Sequence, residues 1–178
     1  MISSFQRKGE SDMKKFVIAV LVDNKPGVLM RVTSMFTRRG FNIDALTVSA
    51  IEDPNYSRIT ITITGDENTK NQFVSQMKKL YNVKKVQVLD DEMTVKRELM
   101  LIKVKTSPET RAEIMAAAEI YRAKIIDYQA DVMSVELTGE PLKLDAFIKI
   151  MMPLGILEMC RTGIVAIERG TNTMLNQE

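Results

Sequence analysis

The chain has 178 residues, 45% hydrophobic and 27% charged, the composition of an ordinary globular protein with room for one large domain or two small ones. Its formal charge is only +2 and its 25 basic residues are spread along the chain, so there is no electrostatic footprint for nucleic acid or an anionic membrane. The single cysteine, Cys160, excludes an internal disulfide and reads as a small buried thiol at a strand end. That usage fits a reducing compartment and also a cysteine-poor exported protein.

Met1 to Asp12 is polar and lacks the apolar core of a signal peptide, and the first apolar run, Phe16 to Val22, is too short to span a bilayer. A cytoplasmic protein is expected. Met13, followed by Lys14 and Lys15, is a candidate natural start, so residues 1–13 read as a disordered leader.

Phe16 to Val22 is continuously apolar and rich in β-branched residues, the pattern of a central strand covered on both faces. Asp23 to Gly27 then supplies a turn and a helix start. Val28, Leu29, Val32, Met35 and Phe36 recur at helical spacing until Gly40 stops the helix. Phe41 to Ile51 reads as a strand, Glu52 to Asn55 as a turn around Pro54, and Arg58 to Thr64 as a strand alternating threonine with Ile59, Ile61 and Ile63. A second helix, capped near Asp66, carries Phe73, Val74, Met77, Leu80 and Tyr81 on one stripe, and a strand runs from Val83 to Leu89.

The second half repeats this order. A strand over Val95 to Lys105 precedes a helix over Pro108 to Tyr121, with Ile114, Ala117, Ala118 and Tyr121 inward. Strands follow over Lys124 to Ala130 and Met133 to Leu137, then a helix over Pro141 to Met152 with Leu144, Phe147, Ile148 and Met151 inward. Short strands over Ile156 to Cys160 and Ile164 to Glu168 complete the pattern. The expectation is an α+β chain of two tandem ferredoxin-like βαββαβ domains, over residues 14–90 and 95–170, with a tail over 171–178. Asp90, Asp91 and Glu92 between them read as a solvated linker rather than a metal site. Each half is a single sheet with its helices on one face, so the other face needs cover and self-association is expected. The 13 methionines read largely as core filler on the helix stripes.

The chemistry the chain lacks is also informative. With no histidine and one cysteine, the usual general base and the usual metal ligands are absent, and no phosphate loop, dinucleotide fingerprint or zinc-protease motif occurs. Carboxylates and lysines remain, so catalysis is disfavoured rather than excluded. RNA-binding domains of this topology stack bases on aromatic residues of the third strand, which here carries Arg58, Thr60, Thr62 and Thr64. The expected chain therefore has no catalytic residues, no metal and no cofactor.

One loop, Asp23 to Leu29, has a functional look. Pro26 has no amide hydrogen and Gly27 no side chain, which leaves the first N–H groups of the helix open to a carboxylate. Asn24 adds an amide that can donate to an acid or accept from an ammonium. Taken alone, the loop favours plainer duty, with Asn24 as helix cap and Pro26 and Gly27 only shaping the turn.

Asn24, Gly27, Val28, Leu29 and Arg31, followed by Arg39, Gly40, Phe41, Asn42, Ile43, Asp44, Leu46, Thr47 and Val48, resemble an ACT domain, specifically that of the small regulatory subunit of acetolactate synthase, or acetohydroxyacid synthase. The similarity continues through Ser57 and Arg58, Val95 to Val104, Arg122 to Asp127, Lys143 to Phe147 and Arg161 to Ala166, so it covers nearly all of Lys14 to Gly170. The resemblance implies a homodimer, paired with a separate catalytic subunit that uses thiamine diphosphate, Mg and FAD, and stimulating it. It implies feedback inhibition by valine in branched-chain amino-acid biosynthesis, the pathway of valine and isoleucine. The implied effector site takes Asn24, Pro26, Gly27, Val28 and Leu29 from one chain and Asn42 and Ile43 from its dimer partner, with Ala45 where many members have serine. The second domain starts its first helix with Thr106, Ser107, Pro108 and Glu109, an acid in place of glycine, and is expected to contact the catalytic subunit rather than valine. Rival readings are a free-standing sensor serving another enzyme and a small enzyme in its own right.

Overall fold

The computed structural model describes residues 13–175. The expected leader, Met13 apart, and residues 176–178 of the expected tail lie outside the described residues.

The first domain runs β1 (Lys14–Asp23), α1 (Val28–Arg39), β2 (Ala45–Ala50), β3 (Tyr56–Gly65), α2 (Glu67–Met77) and β4 (Val83–Leu89). Its antiparallel sheet has the order β2-β3-β1-β4, so β1 is flanked on both sides, as its unbroken apolar run requires. Register sets Ile18 opposite Ile61 and Val20 opposite Ile59, and these residues form one face with Val22 and Ile63. That face packs on Val28, Val32, Met35 and Phe36 of α1 and on Phe73 and Met77 of α2. Phe36 stacks on Phe73 at 5.2 Å between ring centroids, and Phe41 meets the same ring edge-on at 5.2 Å. Each such side chain contributes roughly 1.5–3 kcal/mol by leaving water. On the sheet's other face Val17, Ala19, Leu21, Thr60 and Thr62 are buried as well.

The second domain runs β5 (Thr94–Lys105), α3 (Arg111–Ile120), β6 (Lys124–Tyr128), β7 (Val132–Gly139), α4 (Pro141–Met151), a 3-10 turn (Met152–Leu154), β8 (Ile156–Arg161) and β9 (Val165–Glu168). The sheet order, β6-β7-β5-β8 with β9 also on β5, repeats the first domain. Met100, Ile102, Val104, Met133, Val135 and Leu137 face Ile114, Leu144, Phe147 and Met151 of the helices. The chain is thus α+β with two ferredoxin-like domains. It divides into two compact units, one of the described residues through Thr94 together with those from Glu168 onward, the other Val95–Ile167. Among the described residues no helix is long and apolar enough to cross a membrane.

Several expectations need correction. The strand expected from Phe41 begins at Ala45, because Phe41 turns inward onto Phe73 and the chain rejoins the sheet only where the Asp44 N–H meets the Thr62 carbonyl, at 2.9 Å. α2 ends at Met77, so Tyr81 leaves the stripe and is 86% exposed, its ring under the Lys84 ammonium. α3 starts at Arg111 rather than Pro108 because Ser107 and Thr110 bond each other across the turn. Cys160 is exposed, not buried: it pairs with Leu101, whose side chain is also exposed, on the face of β5 away from the helices. Met35, Met77, Met100, Met133, Met151 and Met174 are buried, but Met13, Met30, Met93, Met115, Met152 and Met159 are exposed, so core filling accounts for only part of the methionines.

Candidate functional site

The loop between β1 and α1 is held from below by a buried carboxylate. Asp23, the last residue of β1, donates its N–H to the Asn82 carbonyl at 2.9 Å and accepts from Asn82 Nδ2 at 3.0 Å and Lys84 Nζ at 3.1 Å. The Asn82 amide, and after it Lys84, holds the Asp23 carboxyl below its ordinary value against the opposing effect of burial. Arg31 on the first turn of α1 donates to Asn82 Oδ1 at 3.1 Å, so Asn82 ties the end of β1 to the start of α1.

Above this clamp, Asn24 is committed to the β2–β3 turn. Its backbone N–H bonds the Asn55 carbonyl at 2.7 Å and its Nδ2 bonds the Pro54 carbonyl at 2.9 Å. Asn24 therefore does not cap the helix, and its Oδ1 is the end left to accept a donor. The cap position belongs to Gly27, at φ +81° and ψ −6°, with no side-chain cap bond. That left-handed conformation suits glycine, and nothing lies within 4 Å of where a Cβ would stand. The Val28 N–H turns back to the Lys25 carbonyl at 3.3 Å, and the first helical bond runs from the Arg31 N–H to the Gly27 carbonyl at 3.1 Å. Leu29 and Met30 lie ahead of that bond, so their N–H groups face outward at the positive end of the helix dipole. The first turn holds no acidic residue to neutralise it.

Of the expected site residues, Asn24, Pro26, Gly27, Val28 and Leu29 come together here. The Val28 side chain is buried in the core and offers only backbone, whereas Leu29 is exposed beside the glycine. Asn42 and Ile43 lie beyond the other end of α1, whose 12 residues span about 18 Å, so one chain does not unite the two groups. Asn42 is exposed and Ile43 packs partly against the core. Sequence reasoning missed Asp23, Arg31, Asn82 and Lys84 as the loop's support. Asp23 and Asn82 stand 59 positions apart and no local pattern joins them.

The equivalent place in the second domain is closed. The Ser107 N–H donates to Thr110 Oγ1 at 3.0 Å, the Thr110 N–H donates to Ser107 Oγ at 3.3 Å, and the Ser107 hydroxyl donates to the Glu109 carboxylate. That last bond lowers the Glu109 carboxyl from its ordinary value. Here side chains close the turn ahead of α3 by bonding one another, although Thr110 at the cap position makes no side-chain cap bond.

A βαββαβ sheet whose first helix opens on an uncapped glycine at the end of the central strand defines an ACT-type domain, here followed by a second domain of the same topology. Comparison with known proteins agrees. The family described as "AHAS small subunit-like ACT domain" matches residues 18–85, and "Small subunit of acetolactate synthase" matches residues 97–170. A probable acetolactate synthase small subunit of Methanothermobacter thermautotrophicus is 43% identical over 93% of this chain and 99% of its own length. The acetolactate synthase small subunit of Mycolicibacterium smegmatis is 42% identical over 86% of this chain and 90% of its own. The crystal structure of the small subunit from Thermotoga maritima superposes with a TM-score of 0.82 at 41% identity, covering 89% of this chain and 99% of that one. The chain belongs to the acetolactate synthase small-subunit family.

Proposed function

We propose that this chain is the regulatory subunit of an acetolactate synthase, stimulating a separate catalytic subunit and conferring feedback inhibition by valine. The observation that carries the reading is the uncapped, left-handed Gly27 at the start of α1, with open space around it and no acidic residue in the first turn of the helix. The valine carboxylate sits on that helix start at Gly27 to Leu29, where partial positive charge and free donors coincide. Asn24 Oδ1 and the Asn42 of a second, identical chain hold the ammonium, and the isopropyl group lies in an apolar niche.

A second chain is needed because α1 keeps Asn42 and Ile43 a helix length from Gly27. β2 is the edge of its sheet and begins just after these two residues, a suitable line for a homodimer contact. A ligand bridging two chains favours one dimer geometry, and a difference in affinity between two geometries on the order of 1–3 kcal/mol passes the signal on. The thiamine diphosphate, Mg and FAD of the reaction belong to the catalytic subunit, which the second domain also contacts.

The test pairs calorimetric titration of valine into the full chain with an assay of the catalytic subunit on pyruvate, with and without the chain. Gly27→Asp is the decisive variant, since aspartate tolerates the left-handed region better than most residues yet sets a negative charge on the carboxylate position. Its valine affinity falls on the order of 100-fold, about 2.7 kcal/mol, while stimulation persists. Undiminished valine binding in this variant sinks the site.

A further inference from the structure

The helical side of the first domain holds a feature the effector site does not use. Between α1 and the turn that ends α2 lies a groove of about 430 Å³, with Arg31, Arg38, Arg39 and Lys79 on its rim and Met35 and Leu80 beneath them. No carboxylate lines it. Arg38, Arg39 and Lys79 have no carboxylate partner among the described residues, and Arg31 bonds only the neutral amide of Asn82. Arg38 and Arg39 occupy the last turn of α1, where cations favour the helix dipole. That accounts for neither Arg31 at the opposite end nor Lys79 beyond α2.

The spacing of these charges decides what they fit. Arg31 and Arg38 are two turns apart, about 10 Å along the axis, so the cations do not converge on one small anion. Apart from the Met30 N–H at the start of α1, the backbone N–H groups of the groove walls are spent within the helices and the turn that ends α2, so there is no cluster of free donors of the kind that cradles a phosphate. An extended chain carrying several carboxylates does match, with an apolar side chain laid on Met35 and Leu80. Methionine accommodates such a neighbour readily.

We propose that this groove docks an acidic segment of the catalytic subunit, a proposal that rests on reading the chain as that enzyme's regulatory subunit. The same groove meets the effector loop through one side chain. Arg31 holds Asn82, and Asn82 holds Asp23, the residue directly before Asn24. A carboxylate that draws the Arg31 guanidinium toward the groove loosens the clamp under the loop. Docking and effector binding thereby compete for one arrangement, and each changes the affinity of the other by the same factor.

The test uses the full chain and its catalytic subunit, with association followed by calorimetry at low and high salt. The double charge reversal Arg38→Glu, Arg39→Glu weakens association by about tenfold or more and flattens its salt dependence, as loss of interfacial charge complementarity requires. Arg38→Lys with Arg39→Lys stays within about threefold of the parent, because charge rather than fork geometry is what the groove supplies. The reversed chain keeps its valine affinity and circular dichroism spectrum, which separates lost docking from misfolding. Association of the reversed chain at the parental affinity and salt slope overturns the proposal while leaving the regulatory reading in place. Failure of the parental chain to associate with the catalytic subunit at all overturns both. Stoichiometric binding of inorganic phosphate that the reversal abolishes, with association unchanged, makes the groove a small-anion site and overturns the proposal too.

Discussion

The two domains start their first helices in opposite ways on the same fold. After β1 the chain passes through Gly27 and leaves the helix start bare; after β5 it passes through Ser107, Glu109 and Thr110, which bond one another and cover the turn. Topology is common to both, so it cannot be the source of the difference. A helix start can spend its side chains on its own stability or leave its donors for a ligand, and each domain makes one of these choices.

The sharpest way to break this comparison is to remove the support beneath one half of it. Phe73 joins α2 to Phe36 of α1 and to Phe41 before β2. Phe73→Ala lowers stability by about 3–5 kcal/mol and takes valine binding with it, read by denaturant titration and calorimetry; hydrogen exchange then shows faster opening in the first domain than in the second. Next in size is the loss of valine affinity expected for Gly27→Asp. A smaller effect comes from the closed turn: Ser107→Ala removes the side-chain bond to the Thr110 N–H and costs about 0.5–2 kcal/mol of stability while leaving valine affinity untouched. A fall in valine affinity in that variant would show that the second turn is not merely structural.

The smallest effect is a pH dependence. Asp23 is held below its ordinary value in the folded chain, so its contribution is complete above the unfolded value of about 3.9 and is lost as pH falls through the lowered folded value. First-domain stability and valine affinity should therefore stay level from neutral pH down to about 5 and decline below about 4. Asp23→Asn, which keeps the shape and removes the titration, should flatten that decline; an unchanged acid profile would remove Asp23 from the clamp.

Much of the architecture was legible from local pattern. The isoleucines of β3 alternate with threonines, Gly40 ends α1 in the left-handed conformation at φ +68°, and Asp66 caps α2 by accepting the Thr69 N–H at 2.8 Å. The last strand of the first domain has the bounds expected of it, Val83–Leu89. Tyr81 went wrong because periodicity reports which way a side chain points only while the element continues, and Cys160 because the usual burial of a free cysteine does not say whether its face of the sheet is covered. α2 stops short of Tyr81, and the face of β5 and β8 that carries Cys160 is open.

Residue order by itself determined the two βαββαβ units, their cores and the glycine that opens α1, because helix and strand periods, caps and turn residues act over a few positions. Only the tertiary structure decided that Asn24 spends its amide nitrogen on Pro54 and that Asp23, Asn82 and Arg31 clamp the loop. Those facts depend on which distant segments the sheet order brings side by side. Hydrogen-bond geometry is met or missed within tenths of an ångström, a precision that sequence spacing does not encode.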